Sequence, residues 1–136
     1  MAYKIKLKKI QTPPPGDIKT DIDFICRSFG YFSQRDKHST AGRIFRLLVH
    51  ETAEGTNGLT SDQIAEALDL SRGTIVYHLN SFISAGLVVR ERNLYRLRSQ
   101  SVQKSIEEIK QDTQRIFNEM LKIAQTIDEE LGNFYR

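Results

Sequence analysis

Between Ser71 and Arg98 the sequence SRGTIVYHLNSFISAGLVVRERNLYRLR changes its period from that of a helix to that of two short strands, and few folds accommodate that switch within 28 residues. Ser71 suits an N-cap, because its hydroxyl can accept a hydrogen bond from a first-turn N–H that has no partner within the helix. Ile75, Leu79, Phe82 and Ile83 fall at helical spacing and share one apolar face. The opposite face carries Arg72, Thr74, Tyr77, His78 and Ser81, all able to hydrogen-bond and none acidic. Gly86 suits the left-handed residue after the last turn. Val88-Val89-Arg90 and Leu94-Tyr95-Arg96-Leu97-Arg98 read as strands around Glu91-Arg92-Asn93. Five arginines against one acid give this segment a net charge of +4, whereas the whole chain of 136 residues carries +3.

The run Ser-x-x-Thr-Ile-x-x-His-Leu and the Ala-Gly-Leu-Val that follows it resemble the winged helix-turn-helix of ArsR-type bacterial and archaeal transcription regulators. The resemblance covers roughly residues 39–98. It implies a recognition helix, 71–86, that enters the major groove of double-stranded DNA, where each base pair presents a distinct donor and acceptor pattern. It also implies a basic wing, 88–98, that lies on the backbone or in the minor groove. In that reading Ser71 caps the helix, Arg72 offers its fork to guanine, and Gly73 lets the backbone approach closely. Thr74 meets a phosphate or a thymine methyl, Tyr77 reaches a phosphate or base edge one turn on, and His78 either packs or touches a phosphate. Asn80 and Ser81 are lesser contacts. In the wing Arg90, Arg92 and Arg96, with Asn93 at the tip, neutralise phosphate or enter a narrow A·T-rich minor groove.

Upstream, residues 39–54 read as the first helix of this domain, capped by Ser39 or Thr40, with Ile44, Leu47 and Leu48 inward and Phe45 beside them. Thr56-Asn57-Gly58 is a turn. Thr60-Ser61-Asp62-Gln63 fits a capping box opening a second helix with Ile64, Ala65 and Leu68 inward. Asp69-Leu70 turns into the recognition helix. The expected fold class is therefore mainly α with a small β-hairpin wing (α+β): a winged helix-turn-helix with a helix added at each end.

The additions are legible from their own patterns. Residues 1–16 form a basic arm and a spacer. Tyr3, Ile5 and Leu7 alternate with Lys4, Lys6 and Lys8, as in a half-buried strand or an arm that orders only on DNA, and Pro13-Pro14-Pro15-Gly16 is a stiff extended link. Residues 17–30 predict an accessory helix capped by Asp17, with Ile18, Ile22, Ile25 and Phe29 on one face and Gly30 as its stop. From Gln100 onward Val102, Ile106, Ile109, Thr113, Ile116, Met120, Ile123 and Ile127 alternate at spacings of four and three, and no Pro or Gly interrupts 99–131. That heptad seam predicts a coiled-coil helix of roughly 45–50 Å at ~1.5 Å per residue, followed by a tail, 132–136. The expected partner of this seam is a second copy of the chain, joined by the 17–30 helix. A homodimer with two recognition helices matches DNA with two-fold related half-sites.

Other classes lack their residues. The paired cysteines usual on the helix before the recognition helix in metal-sensing relatives are absent, since 60–70 reads TSDQIAEALDL. Cys26, the single cysteine, reads as a buried small hydrophobe with redox sensing as the alternative. His38 and His50 are isolated. No metal site or cofactor is expected. Neither a phosphate-binding glycine loop nor a nucleophile elbow is present, so no enzymatic role is expected. No apolar run approaches the ~20 residues of a membrane span, and the expected location is the cytoplasm. Charge divides as +4 over residues 1–40, +1 over 41–98 and −2 over 99–136, so one end of the molecule suits phosphate better than the other. Two further readings stand beside the specific regulator: a winged-helix module that docks on another protein, and an architectural protein that coats DNA without sequence preference.

Overall fold

The computed structural model describes residues 3–32 and 39–135, with side chains to residue 132; His38 lies outside the described residues. The chain is mainly helical, with a two-stranded antiparallel hairpin after the helix-turn-helix region and a long C-terminal helix. In order the elements are α1 (Ile18–Ser28), α2 (Thr40–Ala53), α3 (Ser61–Leu68), α4 (Arg72–Ala85), β1 (Val88–Glu91), β2 (Leu94–Leu97) and α5 (Val102–Tyr135).

Local chemistry sets most of these boundaries. Asp17 caps α1 by accepting from the Lys19 N–H at 3.0 Å. In the capping box of α3 the Gln63 N–H donates to the Thr60 hydroxyl at 3.1 Å, and the Thr60 N–H donates to the Gln63 side chain at 2.9 Å. Ser71 caps α4 through the Thr74 N–H, and Gly86 ends α4 in the left-handed region at φ 84°. Ser39 occupies the N-cap of α2 without a side-chain bond, because its backbone is itself left-handed at φ 48°.

The core joins α2, α3, α4 and the hairpin. Ile44, Phe45, Ile64, Ile75, Leu79, Phe82 and Leu87 are fully buried. Phe45 lies stacked on Phe82 at 5.2 Å between ring centroids, so it is an inner residue rather than a flanking one. The hairpin pairs Val88 with Leu97 and Glu91 with Leu94, leaving a two-residue loop. Glu91 thus joins the strand instead of the turn, because Arg92 takes up the reversal in the left-handed region at φ 59°. Residues 56–58 do more than turn. Leu59 and Tyr95 exchange backbone hydrogen bonds of 3.0 and 2.7 Å and add a third, one-residue rung to the hairpin. Gly58 permits that approach: at φ 112°, a Cβ there would sit 2.4 Å from the Tyr95 carbonyl oxygen.

The expected strand or DNA-ordered arm at residues 3–8 is instead an extended segment laid on the protein. A bridge joins Leu7 to Phe29, with Lys8 N–H donating to Ser28 O and Gly30 N–H to Lys6 O, both at 2.8 Å. Tyr3 and Ile5 turn toward the core, Leu7 is 63 % exposed, and the lysines point outward. The apolar face of α1 is covered within its own chain. The helix packs on α2, Cys26 and Phe29 are buried, Ile22 and Ile25 pack against the core, and Ile18 stays exposed. A second copy is therefore not needed to cover Ile22, Ile25 and Phe29.

The C-terminal helix also departs from its expected limits. Ser101 accepts from the Lys104 N–H at 3.0 Å and so caps α5. The helix continues through Gly132 to Tyr135, since a glycine that keeps helical angles weakens a helix by about 1 kcal/mol without stopping it. Its root docks on the winged domain: Ser105, Ile109 and Asp112 are buried, and Val102 and Ile106 pack against the core. Beyond Thr113 the helix leaves the domain, and Ile116, Met120, Ile123 and Ile127 are exposed.

Candidate nucleic-acid interface

Ile75, Leu79 and Phe82 anchor α4 in the core, which turns its other face to solvent. On that face Arg72, Gly73, Tyr77 and Asn80 are exposed, while Thr74, His78 and Ser81 are half-buried. Tyr77 is 67 % exposed, with its ring edge-on to His78 at 5.2 Å. A phenol left this open contributes little to the core and offers both a flat face and a hydroxyl. Around Gly73 a Cβ would meet nothing within 4 Å, so no internal packing requires a glycine there.

Several of the polar groups are held in place. The Ser71 and Thr74 hydroxyls share a 2.8 Å hydrogen bond at the helix start, and the Ser81 hydroxyl donates to Tyr77 O at 3.3 Å. Arg72 lies 3.6 Å from Asp62 of α3, an open pair that water screens and that a phosphate or base could displace. Behind it, Arg43 donates to Leu68 O at 3.0 Å and ties α2 to the last residue of α3.

The wing arginines divide into three kinds. Arg90 donates from Nε to Arg92 O at 2.8 Å and stacks over the Tyr95 ring at 5.5 Å. Arg96 pairs with Glu91 at 3.2 Å. Arg92 and Asn93 occupy the exposed tip. The guanidiniums of Arg90 and Arg96 are thus held against the hairpin, and Arg92 extends from its end.

Arg98, counted in the basic segment by sequence, points inward. Its Nε donates to Glu108 at 3.0 Å, Nη1 to the Tyr3 hydroxyl at 2.8 Å and Nη2 to Asp112 at 2.7 Å. The Tyr3 hydroxyl in turn donates to Asp112, which also pairs with Arg115. Hydrogen bonds from Tyr3 and Arg98 hold the Asp112 carboxyl at a pKa of about 2. Burial opposes the Arg98 charge, but its bonds to Asp112 and Tyr3 outweigh that and raise its pKa. Burial, with the neighbouring Asp112, raises the Tyr3 phenol. This cluster binds the arm, the end of β2 and the root of α5 together. A composition count cannot separate such an arginine from its neighbours; the available signal is the buried-face spacing of Ser105, Ile109 and Asp112.

Among the described residues no group of three or more His, Cys, Asp or Glu side chains is placed to hold a metal ion, and none of the helices is long and apolar enough to cross a membrane. Cys26 is buried.

The arrangement of α2, α3, α4 and hairpin defines a winged helix-turn-helix. Residues 38–91 match a family described as a helix-turn-helix domain, which supports a DNA-binding regulator as the class of protein. Compared with curated proteins and with solved structures, the chain matches none.

Proposed function

We propose that the chain is a homodimeric, sequence-specific double-stranded DNA-binding transcription regulator of the ArsR-like kind, cytoplasmic and of bacterial or archaeal type. The observation that carries the reading is the open, acid-free face of α4, where Arg72, Gly73, Tyr77 and Asn80 stand exposed on a helix fixed by its buried side. In this reading α4 lies in the major groove, and Arg72 and Tyr77 read base edges. Thr74, His78 and Ser81 meet phosphate, while Arg90, Arg92, Asn93 and Arg96 follow the backbone or the minor groove. Phosphate contacts set affinity and the helix contacts set sequence choice. The outer seam of α5, Thr113, Ile116, Met120, Ile123 and Ile127, pairs two copies, whereas Val102, Ile106 and Ile109, expected in the same seam, are taken up by docking on the winged domain of their own chain.

Selection of bound sequences from random duplex DNA at two salt concentrations tests the reading. A two-fold symmetric motif that survives the higher salt is expected. Binding that vanishes with salt and gives no motif would replace the regulator with an architectural protein, and no binding at either salt would leave a protein-docking module. Gly73→Ala sharpens the test. Alanine is the better helix former by roughly 0.5–1 kcal/mol, so the variant should fold at least as well and yet bind the selected site more weakly.

A further inference from the structure

The geometry points to the outer half of α5 as the dimer seam, with the two copies antiparallel; this rests on the homodimer proposed above. Seven large apolar side chains, Ile116, Phe117, Met120, Leu121, Ile123, Ile127 and Leu131, are 38–65 % exposed on this part of the helix. Met120, Ile123, Ala124 and Ile127 line a shallow apolar groove along it. The root cannot supply the interface, because Ile109, Ser105 and Asp112 are already covered by the winged domain.

Charge decides the direction. Beyond Thr113 the exposed charges are Arg115 and Lys122 against Glu119 on the root side, and Asp128, Glu129 and Glu130 toward the tip. A parallel pair in register would lay the acidic run on itself and the basic residues on themselves, and like charges set opposite one another are unfavourable. An antiparallel pair that sets Met120 of one copy against Ile123 of the other also sets Ile116 against Ile127 and Thr113 against Glu130. Apolar residues then meet apolar ones, and the basic side of each copy, around Arg115, lies level with the acidic run 128–130 of the other. The helix dipoles oppose as well.

Spin labels on the polar side of the helix separate the two directions. Gln125→Cys and Gly132→Cys lie seven residues apart on one stripe, and a side chain at position 132 has open space around it. Buried Cys26 in the unsubstituted protein gives the labelling background. Antiparallel pairing centred between Leu121 and Lys122 separates the two labels at position 132 by about 32 Å along the axis and those at 125 by about 10 Å, at ~1.5 Å per residue. Equal distances at both positions would overturn the antiparallel direction and leave the dimer standing. No dipolar coupling at either position, with a monomer mass in sedimentation, would remove the homodimer and this inference together.

Discussion

Ile109 and Ile123 lie two heptads apart on the same seam of α5, yet one is 3 % exposed and the other 65 %. The apolar period is continuous across both, so it does not cause the difference. The flanks do. Beside Ile109 stand Ser105, whose hydroxyl donates to Ser101 O at 2.8 Å and accepts from the Ser99 N–H at 3.1 Å, and Asp112, satisfied by Tyr3, Arg98 and Arg115. These polar residues are buried because every bond they need is supplied inside the chain. The corresponding places beside Ile123, Glu119 and Thr126, are open to solvent. A periodic apolar stripe announces that a face requires cover, and its polar neighbours reveal whether the cover is intramolecular.

The widest gap between the two regions should appear on truncating the seam. Ile109→Ala should lower the stability of the protomer by about 2–4 kcal/mol, through lost burial and the cavity left behind. Ile123→Ala, in dilute solution where copies are apart, should change it by less than about 0.5 kcal/mol. Denaturant titrations of both variants measure this, and comparable losses would erase the distinction between root and tip.

Asp112→Asn should cost about 1–2 kcal/mol, since it weakens hydrogen bonds to a charged partner. Its signature is in pH. The folded pKa of Asp112 lies near 2, below the ordinary 3.8, so its stabilisation is present above about pH 4 and fades as pH falls toward 2. An acid titration should show that loss in the unsubstituted protein and a flatter profile in Asp112→Asn. Tyr3→Phe keeps the ring beside Gly86 and under Arg98 while deleting the hydroxyl, and a loss of about 1 kcal/mol is expected from thermal unfolding. Arg115→Ala should have the smallest effect, within about 0.5 kcal/mol at neutral pH, because its side chain is 70 % exposed. A larger loss would extend the docked root past Thr113.

The winged domain was legible because its signals are local. Caps at Thr60 and Ser71, the left-handed Gly86 and the helical stripe of Ile75, Leu79 and Phe82 each act within a few residues, and the structure reproduces them. Pairings between distant segments were not legible. Nothing near Leu59 announces that it will pair with Tyr95, and nothing near Tyr3 announces Asp112. Arg98 illustrates the limit for the candidate site. Its charge counts equally with that of Arg92 in any sum along the chain, but only the fold turns one inward and leaves the other at the wing tip. The α1 stripe predicts a face that needs cover but not what covers it: α2 and the core, rather than a second copy, take Ile22, Ile25 and Phe29, and Ile18 stays exposed.

The clamp between Tyr3 and Asp112 closes a loop of 109 residues. Were the intervening chain still flexible, that closure would cost about 4 kcal/mol in chain entropy beyond a constant term, more than the hydrogen bond returns. It becomes affordable only after the winged domain has folded and brought β2, α5 and the arm within reach of one another. The arm that carries Tyr3 is therefore the last segment to settle, and on unfolding it is the first to lift. Amide exchange at Lys8 and Gly30, whose N–H groups hold the arm to α1, should accordingly run faster than exchange at Leu79 or Phe82 in the middle of α4.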